Sequence, residues 1–282
     1  MFLRRRRRTV NGSKSIEKAS ALSSSYASEE NSALRRLNVA GTFVTPATMD
    51  ELHREISRLV ETGGPAFVLS GNVHGINTAK ANPWLQEFYN RANAVRVDGA
   101  GVVWAARLLG HKIPPRITWA DWGAPLARHI ADRGHSLFLL GGPDECAQAT
   151  ADIFTAKNPS LRIVGVHHGF FAKEGPENDR IIKMINDAGP DILIVGFGMP
   201  LQERWLLNNY KLLNVKVYLT SGAAFEFLSG KAKRCPKWMG RAGFEWLFRF
   251  LMEPRRMAKR YLWGNPAFFA SVIAQRITAN GK

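Results

Sequence analysis

Cysteine is scarce in this chain: Cys146 and Cys235 are the only two in 282 residues. Their separation offers neither metal-ligand spacing nor a disulfide framework, which suits a reducing compartment such as a bacterial-type cytosol. No uninterrupted apolar run reaches the roughly 18 residues that a membrane span requires, and the longest late one, 267–274, falls short by half. The opening MFLRRRRR has charge but no apolar stretch behind it, so a cleaved secretory signal is not expected. No internal repeat is present. Asp-x-Asp, the pattern that commonly holds a divalent ion against a diphosphate, is also missing. Any bound diphosphate would then be neutralised by arginines and backbone amides. The neighbouring His167 and His168 would point apart on an extended chain and would not share a metal. No metal and no cofactor are expected.

Acidic residues are sparse at both ends. Residues 1–40 carry nine Lys or Arg against three acids, and residues 231–282 carry twelve against two, Glu245 and Glu253. Residues 41–230 carry eighteen of each, so the formal +16 is two basic ends on a neutral body. Charge of this kind selects partners rather than fold: nucleic acid, anionic lipid or phosphorylated substrates. The C-terminal segment also holds nine aromatic residues, and such residues favour the polar boundary of a bilayer. Three regions follow: a basic extension over 1–37, rich in Ser, Asn and Lys and expected to be disordered; a body over 38–230; and a helical, membrane-docking appendage over 231–282, expected to be removable without unfolding the body. Arg4–Arg8 read either as a lipid-attracted anchor or as a solubilising tail.

Within the body, 45% hydrophobic composition overall leaves ample material for a core. Short β-rich runs (VAGTFV, AFVLS, AVRV, SLFLL, RIVGV, DILIVG, VKVYLT) alternate with stretches of helical periodicity at 49–60, 102–109, 122–131, 145–156 and 202–213. That alternation predicts an α/β fold, a mainly parallel Rossmann-like sheet flanked by helices, with a C-terminal helical appendage. Ligands of such sheets sit beyond the carboxyl ends of the strands, which directs attention to six glycine-marked loops beginning at Ser70, Asp98, Gly141, His167, Gly196 and Ser221. In the C-terminal segment Phe244, Leu247, Phe248 and Leu251 make one apolar stripe with Arg241, Glu245 and Arg249 turned away, and Pro254 breaks the helix.

Candidate chemistry lies in those loops. Asp98 ends a strand where a general base could stand, or caps the helix after it; Asp121 has the same two readings. Gly141 and Gly142 permit close approach of a ligand, or simply make a turn. The run VGFGMPLQE lacks the third glycine of a dinucleotide fingerprint, because Leu201 stands in its place. Its turn, with Gly198, still suits a phosphate at a helix N-terminus. Gln202 and Glu203 on the first helical turn either face that ligand or, for Glu203, compensate the dipole.

The ordered set of these motifs resembles the TagA/WecG/CpsF family of bacterial glycosyltransferases. The matching stretches are Ser70–Asn72, VDGAGVVWAARLLG at 97–110, Arg116 to Asp121, FLLGG at 138–142, VGVHHGFF at 164–171, VGFGMPLQE at 195–203 and FEWLFRFLMEPRRMAKRYLWGNPAFF at 244–269. The resemblance implies an inverting enzyme that moves a sugar, of the N-acetylmannosamine, N-acetylmannosaminuronate or glucose type, from a UDP-sugar to a polyprenyl-diphosphate-linked sugar. It implies work in cell-surface or exopolysaccharide synthesis, peripheral on the cytoplasmic face of the plasma membrane, with possible homo-oligomers and no nucleic acid. By the same resemblance Asp98 is the base, Arg116 stands beside it, Ser70 and Asn72 contact substrate at the strand end, Gln202 lies at the donor site, and Arg249, Arg256 and Arg260 come from the tail. Asp121, Gly141, Gly142, Gly198 and Glu203 join them as candidate substrate contacts from their places in the loops. Three departures stand out: Trp119 and Ala120 where the family has Gly-Ser, Ser70 for threonine, and Leu201 for lysine. The rival readings are an NAD(P)-dependent oxidoreductase, which the incomplete fingerprint disfavours, and a basic nucleic-acid-binding protein, whose binding would fall steeply with salt.

Overall fold

The computed structural model describes residues 34–280. The expected disordered extension therefore lies, as far as residue 33, outside the described residues. Leu37–Val39 (β1) and Thr42–Val44 (β2) pair antiparallel around Ala40 and Gly41, both at positive φ. The run VAGTFV is thus a hairpin and not one strand of the main sheet, because Ala40 and Gly41 at positive φ turn the chain back on itself. Helix α1, Met49–Thr62, starts at a reciprocal cap in which the Glu51 amide donates to the Thr48 hydroxyl and the Thr48 amide donates to the Glu51 carboxylate.

The main sheet uses Ala66–Gly71 (β3), Ala94–Val97 (β4), Ser136–Gly141 (β5), Arg162–His167 (β6), Ile192–Gly196 (β7) and Val217–Thr220 (β8). All six are parallel, in the order β4-β3-β8-β7-β5-β6. Strands β5, β7 and β8 are buried along their whole length, which is why their sequences are continuous apolar runs rather than alternating ones. Around the sheet lie α2 (Val73–Ala81), α3 (Pro83–Arg91), α4 (Ala100–Leu108), α5 (Trp119–Asp132), α6 (Cys146–Lys157), α7 (Pro176–Ala188), α8 (Leu201–Asn209) and the short α9 (Ala224–Leu228). The α/β architecture agrees with the sequence reading. Helices α2, α3 and α7 were not evident from periodicity: α2 and α3 follow each other with a single residue, Asn82, between them.

The C-terminal segment is helical, as α10 (Lys237–Arg241), α11 (Glu245–Met252), α12 (Pro254–Ala258), a π-helical turn (Lys259–Trp263) and α13 (Gly264–Asn280). Pro254 does interrupt the helix, entering at the first position of α12 after a non-helical Glu253. Two expectations for this segment need correction. First, α13 is not separable. Phe268 and Val272 are fully buried in the same apolar core as Leu69, Ile76 and Val102, and Gln275 accepts from the Ala40 amide and donates to the Asn38 carbonyl of the hairpin. The described residues from 35 onward accordingly make one compact unit with no division at 230. Second, the apolar stripe at α11 is not a buried face: its two ends are exposed and Leu247 and Phe248 are only half-buried. Leu251 is 66% exposed and Phe244 43%, whereas the Glu245 side chain is 20% exposed.

Candidate active site

Two cavities meet over the carboxyl ends of β3, β4 and β8. The register β3–β4 sets Gly71 beside Val97, and the Asp98 amide donates to the Gly71 carbonyl at 2.8 Å, so Ser70, Asn72 and Asp98 come to one edge. The first cavity, about 330 Å³, is lined by Ser70, Trp119, Gly198 and the Ser221–Ala224 turn. The second, about 500 Å³, is lined by Gly101, Trp104, Arg116, Glu245 and Tyr261. Asn72, His74, Asp98, Arg249 and Arg260 line both. Asp98 therefore stands in the wall that the two cavities share, with tail cations present on either side.

Asp98 does not cap α4. Gly99 occupies the cap position at φ +116, and no side chain caps that helix. Its carboxylate instead lies 3.6 Å from the guanidinium of Arg96, which is 1% exposed. Arg96 also donates to the Ser70 hydroxyl and the Ile117 carbonyl, and packs over the rings of Trp119 and Trp122. Burial pulls the Arg96 pKa down, and the Asp98 charge works in the opposite sense. An arginine this buried is tolerable because its donors and its charge are all met. Sequence reasoning passed over Arg96, although one charge inside the otherwise apolar AVRV was a signal. Ser70 in turn donates to the Thr220 carbonyl at 2.9 Å, and the Asn72 side chain accepts from the Gly75 amide as the cap of α2.

The substitutions at 119 and 120 do border the first cavity. The Trp119 indole turns into the core, where it donates to the Thr220 carbonyl at 2.9 Å. Ala120 and the Trp119 edge thus shape the cavity wall next to Gly222.

Arg116 reaches the second cavity but is committed to the tail. It pairs with Glu245 at 2.8 Å and donates to the Gly240 carbonyl at 2.9 Å. Glu245 also takes Arg249 at 3.0 Å. Burial works to raise the Glu245 pKa, but the charges and hydrogen bonds of Arg249 and Arg116 outweigh it and hold the carboxyl below the usual glutamate range. This three-residue chain clamps α11 over the cleft, with Glu245, Trp246 and Arg249 lining the second cavity. Arg249 additionally lies over the Phe227 ring, 4.6 Å from its centre. Arg260 comes from the π-helical turn and adds to the burial that depresses the His74 pKa to about 4, so His74 is neutral near pH 7. The side chain of Arg256 lies outside the described residues.

Several expected ligand contacts are placed elsewhere. Gln202 and Glu203 are fully buried and line neither cavity. Gln202 accepts from the Gly222 amide at 2.9 Å and donates to Glu203 at 2.7 Å, so the pair holds the Gly222 turn from below. Burial raises the Glu203 pKa to about 7, and its Oε2 has no partner. Gly141 and Gly142 line neither cavity: a Cβ on Gly141 would stand 2.4 Å from the Gly196 carbonyl oxygen, and one on Gly142 2.9 Å from Phe225. Close packing between the β5 and β7 ends is what requires glycine there. Asp121 lines neither cavity but sits in a groove that adjoins the second across Trp104, Arg116 and Glu245, paired with Arg234 and accepting from the Thr118 hydroxyl. Of the six loops, those at 70–72, 98–101, 198–199 and 221–224 converge, and those at 141 and 167 do not.

The arrangement is a carboxylate between a polar recess over strand ends and a cation-rimmed, more apolar recess under helices α11 and α13. Such a site can accept a proton from a hydroxyl in one recess while an anionic leaving group is held by arginines and turn amides. The chain is similar to N-acetylglucosaminyldiphosphoundecaprenol N-acetyl-beta-D-mannosaminyltransferase of Staphylococcus aureus strain MRSA252, 25% identical over 233 residues that cover 82% of this chain and 90% of that protein. The proteins of the same description in strains MW2 and NCTC 8325 are 25% and 24% identical over the same shares. The model of the WecG/TagA/CpsF glycosyl transferase family matches residues 37–282. With the whole described cleft and its helical cover inside that match, the chain belongs to the WecG/TagA/CpsF family of glycosyltransferases.

Proposed function

We propose that this glycosyltransferase moves a sugar of the N-acetylmannosamine type from a UDP donor onto a polyprenyl-diphosphate-linked sugar, with inversion at the transferred anomeric carbon. The observation that carries the reading is Asp98 in the wall common to two cavities of different character. The donor occupies the polar cavity by the Gly198 and Gly222 turns, and the acceptor sugar occupies the second. Asp98 takes the proton of the acceptor hydroxyl as its oxygen forms the bond to the anomeric carbon; the bond from that carbon to the UDP oxygen breaks, and UDP leaves with the electron pair. Arg249, Arg260 and the turn amides stabilise the charge that grows on the diphosphate. Those cations support a reaction without a resident metal. The relatives' names, which specify a mannosaminyl transfer to a diphosphoundecaprenol-linked sugar, support the same substrate class.

The exposed apolar rim of Trp238, Leu251, Met252 and Trp263 beside basic residues supports peripheral attachment to an anionic lipid surface. No described helix is long and apolar enough to cross a membrane.

The test is transfer from a panel of UDP-sugars to a short-chain polyprenyl-diphosphate sugar, with the product's anomeric configuration read by NMR. Asp98→Asn is expected to lower kcat by about 10²–10⁴-fold, the usual worth of a general base, while donor binding persists. Near-normal turnover in that variant removes Asp98 from the mechanism. Retention of configuration removes the single displacement. Activity abolished by EDTA and restored by magnesium removes the metal-free step.

A further inference from the structure

The cleft does not end at the second cavity. A third, about 740 Å³, runs between α2 and α13 and shares His74 and Arg260 with the other two. Its floor is closed by Asn77, whose side-chain amide donates to the Gly264 carbonyl at 2.7 Å, and its far end by Lys80, which donates to the Ser271 hydroxyl at 2.8 Å. Small residues on α13, Gly264, Ala267 and Ser271, leave the trough open. Trp263 stands at its rim, 73% exposed, a large apolar side chain that nothing in the fold requires to face outward.

The three cavities meet at His74 and Arg260: a polar recess, a recess rimmed by Arg116, Arg249 and Arg260, and a trough lined by Trp263 and Ala267 on one side and by Asn77, Lys80 and Ala81 of α2 on the other. A polyprenyl-diphosphate sugar is a series of sugar, diphosphate and hydrocarbon. With the reacting hydroxyl at Asp98, the diphosphate falls toward the Arg260 junction, and the chain beyond it has the third cavity as a continuous path. We infer that the trough between α2 and α13 is the lane for the isoprene units nearest the acceptor diphosphate, so that the enzyme reads part of the lipid and not the sugar alone. This rests on the substrate class proposed above. Continuity with the cleft and cationic complementarity at the neck favour that occupant over a loose contact with a bilayer.

The experiment uses the full chain in detergent-free buffer without vesicles, with two acceptors that share one sugar diphosphate. One ends in a methyl ester and the other in three isoprene units, both kept below their aggregation concentration. The prenyl acceptor is expected to have a KM at least tenfold below that of the methyl ester. Ala267→Trp, at an exposed position on α13, is expected to raise the prenyl KM about tenfold with kcat held, removing most of the difference between the acceptors. A diazirine on the first isoprene unit should crosslink to peptides spanning 73–81 and 264–271, and this readout holds even if a variant is unstable. Equal KM values for the two acceptors in the unmodified protein overturn the lane, as do crosslinks confined to 244–252 or a lipid preference that appears only when vesicles are added. Transfer to neither acceptor from any UDP-sugar overturns the substrate class itself, a different result from loss of the lipid preference.

Discussion

Helices α11 and α13 belong to one basic, aromatic-rich segment, yet they present their faces in opposite ways. In α13 the apolar residues Phe268 and Val272 point into the core, with Ile273 and Ile277 left outside. In α11 no residue is fully buried, Leu251 and Met252 are exposed, and Glu245, Trp246 and Arg249 line the cleft. Burial of hydrocarbon holds the first helix in place; a chain of ion pairs from Arg116 through Glu245 to Arg249 holds the second. Hydrocarbon burial is insensitive to pH and salt over the ordinary range, whereas an ionic clamp that solvent partly reaches is not. One segment thus supplies both a structural wall and a cover that can respond to its surroundings.

The comparison can be broken most forcefully in α13. Deleting 231–282 strips Phe268 and Val272 from the core and is expected to abolish a cooperative urea transition; Phe268→Ala alone should cost about 3–5 kcal/mol in the same measurement. A truncated chain that melts cooperatively would show that α13 is an appendage after all.

Acid separates the body from the cover. His53 is stacked on His129 and accepts from the Trp122 indole, and burial first, then the His129 charge, lowers its pKa to about 4. A base depressed in the folded state contributes stability that is complete above its ordinary value near 6.5 and is lost as pH falls from there toward 4, here about 3 kcal/mol in all. Glu245 is depressed by its partners, so the clamp persists above the ordinary glutamate range and is lost only as pH falls through and below it. Urea midpoints recorded from pH 7 to 4 should therefore fall first through the body, and His53→Gln should flatten the upper part of that slope.

Glu245→Gln tests the clamp directly. Removing the charge that joins Arg116 to Arg249 should lower kcat/KM about tenfold, while the melting temperature shifts by only a few degrees. A large loss of stability with unchanged KM would make Glu245 a part of the body rather than of the cover. The smallest effect is expected at the rim: Trp263→Ala should change stability by no more than about 0.5 kcal/mol, because Trp263 is 73% exposed.

Much of the fold was legible because parallel strands buried on both faces must be short apolar runs, and runs such as SLFLL and DILIVG announce themselves. The hairpin at 37–44 was misread as a single strand, since its turn is Ala40-Gly41 and lacks the Asn or Asp that usually marks such turns. Asp98 was legible as a strand-end carboxylate; its partner Arg96 was not, because a buried guanidinium is satisfied by carbonyls and rings that come from distant parts of the chain. Gln202 and Glu203 looked like ligand contacts from their place on a first helical turn, but the turn's rotation against the sheet decided that they point under Gly222.

The order of strands and helices, the neutral body with basic ends, the break at Pro254 and the family motifs were all properties of local sequence, because periodicity, turn chemistry and charge act over a few residues. Which of the six loops meet, that Asp98 stands between two cavities, that α11 lays Glu245 and Arg249 over the cleft and that α13 completes the core were decided by tertiary structure alone. Each depends on pairing groups more than a hundred residues apart, such as Arg116 with Glu245, and no local pattern encodes a distance that only packing sets.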